Sequence, residues 1–479
     1  MRFGLFIFTL TFSFSLFASS GPVEFTFTKP HSLLNFVGTI LDKQGGSTTL
    51  KNIFRESRFN NPESRQQLEL LSTLPLDYSY HYDAYPESRY MLRTTWDLMV
   101  IASARCQTLY ELKLATVGLL PNTDHHKLFT GLAYFDSIYS DLIWNDQLSK
   151  LAAYCSELGD YAQKRDIDRI FSQLKLFYGS TWDSDIPFKV CLYPIPGKKG
   201  NSTATPTGNI VTCGVLLDSY DYASSLSVVF HEVCHLLYRE QSPALQYQLE
   251  RWFMNSASTS RVLCYQLFDE AIATSLGNGW VYESIADKLD TSDWYNDYYI
   301  NRFAKNAYIT VKEHLKQSRP VDSLFCRDLI SIYERSFPNA NRDFNVLLSN
   351  IQVVADWNDE DAQQLYPLIF RNFRVGSAGF STPLDAINLS DLNTHLATRI
   401  VVVSRDHKNS WEYVKKIVPE ARVLKHAHLD QAFVYLINSD EGFNFVLINL
   451  QDKNQFEKTL ETLKKTGSLS QEDKMILIN

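Results

Sequence analysis

The sequence has no C-x-x-C pair, which excludes the usual thiol-redox and zinc-ribbon chemistries. It has no G-x-S-x-G elbow, no phosphate-binding P-loop and no dinucleotide-binding G-x-G-x-x-G turn, so serine-hydrolase and nucleotide readings have no support. Positive charge is not in excess. The net charge is −8, and neither nucleic acid nor an anionic membrane surface is an expected partner. Beyond the first twenty residues there is no long uncharged apolar run, and no integral membrane segment is expected in the mature chain. Internal repeats and low-complexity tracts are also lacking.

What is present has the balance of a globular protein, with 45% hydrophobic and 21% charged residues. A chain of 479 residues is too long for one ordinary core, which sets an expectation of two or three domains. The N-terminus is a different object. Arg2 precedes the uncharged run "GLFIFTLTFSFSLF", and Ala18-Ser19-Ser20 places small residues ahead of Gly21. This pattern predicts a secretory signal peptide over 1–20, cleaved near Ser20, and an exported protein, periplasmic or secreted. An N-terminal anchor helix is the alternative, and the run is short for a bilayer. The first cysteine is Cys106, so none at the cleavage point invites a lipid anchor.

Seven cysteines in an exported chain permit disulfides and leave at least one thiol over. Cys191 with Cys213, across a hairpin, and Cys106 with Cys155, between helices, are the pairs the text offers. Buried thiols are the alternative.

From residue 21 to about 180 the apolar residues recur at three- and four-residue spacing, which predicts an N-terminal helical region. The texture then changes. "IPFKVCLYPIPG" and "GNIVTCGVLLD" read as short strands joined by the polar connector "KKGNSTATPT", and helical patterning resumes from about Tyr222. Residues 376–395 read as a linker by composition. Residues 396–479 then alternate β-α-β-β-α-β, which suggests a small ferredoxin-like α/β module. The fold class expected is therefore α+β, largely helical, with a short sheet and this C-terminal module. Fold alone assigns no activity to it.

The chemistry concentrates in "SVVFHEVCHLLYRE", residues 227–240. His231 and His235 are four apart, so on a helix both rings lie on one face, the spacing at which two imidazoles share one zinc ion. Glu232 projects beside the metal, where it can take a proton from a water that the ion acidifies. Val228, Val229, Phe230, Val233, Cys234, Leu236 and Leu237 keep charge out of the surroundings, and a plain core helix would have to find partners for two histidines and a glutamate. A catalytic zinc usually takes three protein ligands. The residues after His235 are not those of a metzincin, so the third ligand lies further along. "QLFDEAIATSLGNGW", residues 266–280, offers Glu270, with Asp269 as the rival about a quarter-turn away. His31, His125, His126, His426 and His428 read as turn or solvated residues rather than ligands.

"HEVCH" followed by "FDEAIA" resembles the gluzincin metallopeptidases, over the two motif helices and the β-rich approach to them. The resemblance implies a zincin-like catalytic domain over 181–375, with His231, His235 and Glu270 as zinc ligands and Glu232 as general base. It implies a strand ahead of the first motif helix that binds an extended peptide by edge pairing, for which "GNIVTCGVL" is in the right order; a plain hairpin is the alternative. Two features depart from the family or stay open. Some members carry an aspartate one turn after the glutamate ligand, and here that position is Thr274, a hydroxyl that could accept an imidazole N–H. A tyrosine or histidine commonly stabilises the oxyanion, and "DWYNDYYINRF" offers Tyr295, Tyr298 and Tyr299.

The expectation is thus an exported zinc metallohydrolase, a peptidase acting on peptide or protein substrates. The rival is a non-catalytic, zinc-stabilised scaffold or binding protein of the cell envelope, which would have no use for Glu232.

Overall fold

A computed structural model describes residues 21–478 apart from 43–46, 87–88, 90–92, 199–202, 393–395, 406 and 440–441. The expected signal peptide lies outside the described residues. No described helix is long and apolar enough to cross a membrane.

The fold is mixed α+β, with helices and separate small sheets. Two compact units divide the chain. One takes residues up to Pro75, Trp96–Phe171 and Asp183–Tyr222; the other takes Leu76–Thr95, Ser172–Trp182 and Ala223 onward. This partition differs from the boundaries expected at 180 and 375. The strands after residue 187 belong with the N-terminal helices, and the two motif helices share a unit with the C-terminal strands.

The first unit carries strand β1 (Val23–Thr26) and helix α1 (Lys29–Ile40), which starts where the Thr28 side chain accepts from the His31 N–H and Pro30 sets the first turn. Helices α2 (Asn122–Tyr139) and α3 (Asn145–Lys164) follow. Strands β2 (Phe188–Ile195), β3 (Thr203–Thr207) and β4 (Ile210–Leu216) complete a four-stranded sheet of order β1-β2-β4-β3. Helices α1 and α3 pack on it.

Two expectations are corrected here. The strand "GNIVTCGVL" is not an edge: β4 pairs in parallel with β2 on one side and antiparallel with β3 on the other, so its N–H and C=O groups are already spent. Its hairpin partner β3 comes from the segment that reads as a polar connector. Nor do Cys191 and Cys213 face each other. Leu192, not Cys191, is the register partner of Cys213, which puts the two cysteines on opposite faces of the sheet. All seven cysteines are thiols.

The long C-terminal stretch of the second unit begins in helix α4 (Tyr222–Arg239), which carries both motif histidines. Helix α5 (Arg261–Thr274) runs directly into a π-helical turn, Ser275–Val281, and helix α6 (Tyr298–Lys316) follows. The chain then builds a six-stranded sheet from β5 (Asn350–Ala355), β6 (Ser377–Ser381), β7 (Thr398–Val403), β8 (Phe433–Asn438), β9 (Asn444–Asn449) and β10 (Met475–Leu477). Helices α7 (His407–Ile417) and α8 (Gln455–Thr466) cover it. The strand order is β10-β8-β9-β7-β5-β6.

The element order β-α-β-β-α-β from β7 to β10 is as expected, but a self-contained ferredoxin-like module is not what forms. β7 pairs in parallel with β5 on the side away from β9, and β5 pairs in parallel with β6, so the sheet runs back into residues expected to precede it. The expected linker 376–395 contains β6. Its "SAGFS" has little strand propensity of its own; pairing with β5 makes it a strand. Gly379 lies opposite Gln352, whose side-chain amide occupies the space beside it, with Oε1 1.9 Å from where a Cβ would stand. Both faces of the sheet are covered, which explains the unbroken apolar run of β7. Ile400 and Val402 join a core with Phe456, Leu460 and Leu463 of α8, while Val401 and Val403 join one with Trp411 and Val414 of α7.

Candidate metal centre

Helix α4 is buried around most of its circumference, with Leu226, Val229, Phe230, Val233, Leu236 and Leu237 all inside. Apolar burial on this scale fixes the helix and leaves its two histidines no solvent to turn to: His231 and His235 are each 6% exposed. Their partners come from α5 and the turn behind it. The turn reaches α4 because residue 277 is glycine. A Cβ at Gly277 would lie 2.6 Å from the His231 backbone nitrogen and 2.7 Å from its Cα, closer than atoms can stand. The π-helical turn also sets the angle at which Asn278 points back, a use to which such turns are often put at functional sites.

The hydrogen bonds around the two rings are complementary. His231 Nδ1 donates to Asn278 Oδ1 at 3.1 Å, and His235 Nδ1 donates to Asp269 Oδ1 at 2.8 Å. Both Nε2 atoms are thereby turned to the same place, 3.1 Å apart. Glu270 faces them, with Oε1 3.1 Å from His231 Nε2 and Oε2 3.5 Å from His235 Nε2. One ligand atom from each of His231, His235 and Glu270 lies within 4.8 Å of the other two.

The donor set can be tested on its own chemistry. With each Nδ1–H committed, both Nε2 atoms present lone pairs, and the carboxylate adds more. Three acceptors converging in a buried space repel one another unless a cation lies among them. Burial disfavours charge on His235, yet Asp269 and Glu270 outweigh it and push the imidazole up to about 10. Glu270 is likewise opposed by burial, but the two histidines hold it well below the usual carboxylate range. A group of this kind takes up either a proton or a metal ion. Two imidazoles and one carboxylate, each imidazole oriented through its other nitrogen, fit zinc.

Glu232 sits next to His231 and is half-buried. Burial pushes its carboxyl up, against the pull of His231 and His235 and with a further push from Glu270. Asp269 is different: burial opposes its charge, but His235, Arg239 and Arg89 hold it below the usual range.

The positions expected from sequence divide as follows. His231, His235 and Glu270 come together, with Glu232 adjacent. Asp269, the rival ligand, lies instead on the outer nitrogen of His235. Thr274 does not serve as the orienting acceptor; its hydroxyl is buried and has no hydrogen-bond partner among the described residues. Of the three tyrosines, Tyr295 alone reaches the site. Its ring stacks on His231 with centroids 6.1 Å apart, and its hydroxyl is near enough to Glu270 to feel that carboxylate's charge. Burial and Glu270 push that hydroxyl up to about 12, against the pull of Arg374. Tyr298 is exposed, and Tyr299 bonds Asp343. His125 is not solvated as expected: it is buried, with Nε2 3.1 Å from Thr116 Oγ1. His31 is a buried first-turn residue of α1. Asn278, Gly277 and Arg374 are the site residues that sequence reasoning missed. The only local signal was the "LGNG" break at the end of α5, which reads as a helix stop rather than a turn that continues helical.

No family model matches the chain, and no curated protein or solved structure matches it.

Proposed function

We propose that this protein is an exported zinc metallohydrolase that cleaves peptide bonds, with a gluzincin-like site. The observation that carries the reading is the convergence of His231 Nε2, His235 Nε2 and the Glu270 carboxylate, with both outer histidine nitrogens committed to acceptors. His231, His235 and Glu270 would hold the ion. A zinc ion bound there would polarise a carbonyl and lower the pKa of water toward neutrality.

The chain's own groups supply the rest. Glu232, its carboxyl raised by burial, takes a proton from the attacking water and passes it to the nitrogen of the leaving amine as the C–N bond breaks. Asp269 and Asn278 keep the two imidazoles in one tautomer and one orientation. Tyr295 presents its O–H beside Glu270, where it can turn to an oxygen that gains negative charge. The export part of the reading rests on Arg2 and the apolar run that follows it. A zinc-stabilised scaffold would need the three ligands but not Glu232, and that residue separates the two readings.

The test is zinc per chain in the purified mature protein, with Glu270→Ala beside it, followed by cleavage of a peptide library by the parent and by Glu232→Gln. The expected results are about one zinc per chain, weakened in Glu270→Ala, and cleavage that Glu232→Gln abolishes. A parent that binds no zinc when zinc is supplied removes the enzyme reading. A zinc-loaded parent that cleaves nothing leaves the scaffold.

A further inference from the structure

We infer that Arg374 forms a carboxylate-binding subsite beside the metal centre, so that the preferred substrates are peptides carrying a carboxylate near the bond that is cut. The inference rests on the metallopeptidase reading above and names its substrate class.

Arg374 lies between the helix Leu365–Asn372 and strand β6. Its guanidinium is one side chain removed from a proposed zinc ligand: Nη2 donates to Tyr295 Oη at 3.4 Å, and the Tyr295 ring stacks on His231. Its Cζ stands 5.5 Å from the Tyr295 ring centroid, and Nη1 donates to Asn296 Oδ1 at 3.1 Å. An aromatic ring and an amide thus hold the planar head in one orientation while the side chain stays 57% exposed.

The charge of Arg374 is only loosely matched. Asp297 Oδ2 is 3.5 Å away, but the other oxygen of that carboxylate caps helix α6, accepting from the Tyr299 and Ile300 N–H groups at 2.9 and 3.1 Å. A carboxylate shared with a helix N-terminus, paired at 3.5 Å with a half-exposed arginine, neutralises it weakly. These contacts use the two Nη atoms and leave Nε–H and part of Nη2, an edge that can bind a carboxylate through two parallel bonds. An arginine fixed beside the site favours one placement of an anionic substrate over others.

The carboxylate can come from a peptide's C-terminus or from an acidic side chain, and the probes separate the two. Binding is measured on zinc-loaded Glu232→Gln protein, with acetyl-tetra-alanine as the free acid and as the amide. The amide is measured again with single glutamate or glutamine replacements. We expect the charged member of at least one pair to bind about tenfold tighter or more, the range of a charge-assisted bond. That preference is lost on adding Arg374→Gln and partly kept in Arg374→Lys. A preference for the free acid alone assigns the terminal carboxylate; a preference for glutamate alone assigns a side chain. Equal binding of charged and neutral probes, no binding of any probe, or a preference that survives Arg374→Gln overturns the subsite. Cleavage by the zinc-loaded parent is scored separately. Cleavage without a charge preference removes only the subsite, and a charge preference without cleavage removes only the hydrolase.

Discussion

At the scale of single residues, the site depends on what touches the outer nitrogens of its histidines. Asp269 and Asn278 hold those nitrogens, so Asp269→Ala and Asn278→Ala should each weaken zinc binding by roughly ten- to a hundredfold while the fold persists. Competition against a chelator of known affinity measures this, and unchanged affinity in both variants would falsify the orienting role. A second residue-scale effect lies in the other unit. His31 is wholly buried; that burial lowers its pKa to about 4, although the nearby Val100 carbonyl works the other way. Its imidazole is neutral in the fold, whereas the unfolded chain takes a proton near pH 6.5. The unfolded state therefore binds more protons between those values, so stability is full above about pH 6.5 and falls as the pH drops toward 4. The loss is on the order of 3 kcal/mol from this residue. His31→Gln, which keeps a group able to bond Ser103, should show a shallower fall of the denaturant midpoint between pH 7 and pH 4. An identical fall in parent and variant would assign the acid sensitivity elsewhere.

At the scale of elements, the centre is a contact between helix α4 and the π-helical turn that follows α5. Apolar packing holds α4, but the distance between the two is set by Gly277 against the His231 backbone. Backbone atoms cannot give way as the tip of a flexible side chain can. Gly277→Ala should therefore push the turn off α4, cost about 1–3 kcal/mol of stability and carry Asn278 away from His231. Unfolding curves and zinc stoichiometry on the same preparation test both halves. A variant as stable as the parent that binds zinc equally well would show that α4 and the turn can separate without cost. Glu270 and Asp269 are adjacent on the regular helix that leads into the turn, so the proposed ligand and the carboxylate bonded to His235 are rigidly linked.

At the scale of the whole molecule, the six-stranded sheet changes what a truncation means. Residues after 395 read in sequence as a separate small module. In the structure, β7, supplied by that segment, pairs along β5, and Val354 of β5 packs in one core while Ile351, Val353 and Ala355 pack in the other. Ending the chain at 395 would expose an unpaired parallel edge and two apolar faces. The expected result is insoluble protein, or a soluble fraction whose residues 344–381 exchange backbone hydrogens freely. A truncated chain that unfolds cooperatively and binds added zinc as the full chain does would restore the separate module.

What the sequence by itself determined is what is local along the chain, including where the candidate ligands fall on their helices. His231, Glu232 and His235 declare themselves because a helix repeats every 3.6 residues, and Glu270 because its own segment is helical and apolar. The α/β alternation after residue 396 was legible for the same reason. Everything that depends on two segments meeting was not. Whether Asp269 is a ligand or an orienting group, whether Thr274 has any part, and which of three tyrosines reaches the site depend on side-chain directions set by the packing of α4 against the turn at Gly277. That β4 is an inner strand, and that "SAGFS" is a strand at all, depend on hydrogen bonds to partners distant in sequence. Strand pairing has no local period to betray it, and a glycine required by close packing looks, in one dimension, like a glycine in a loop.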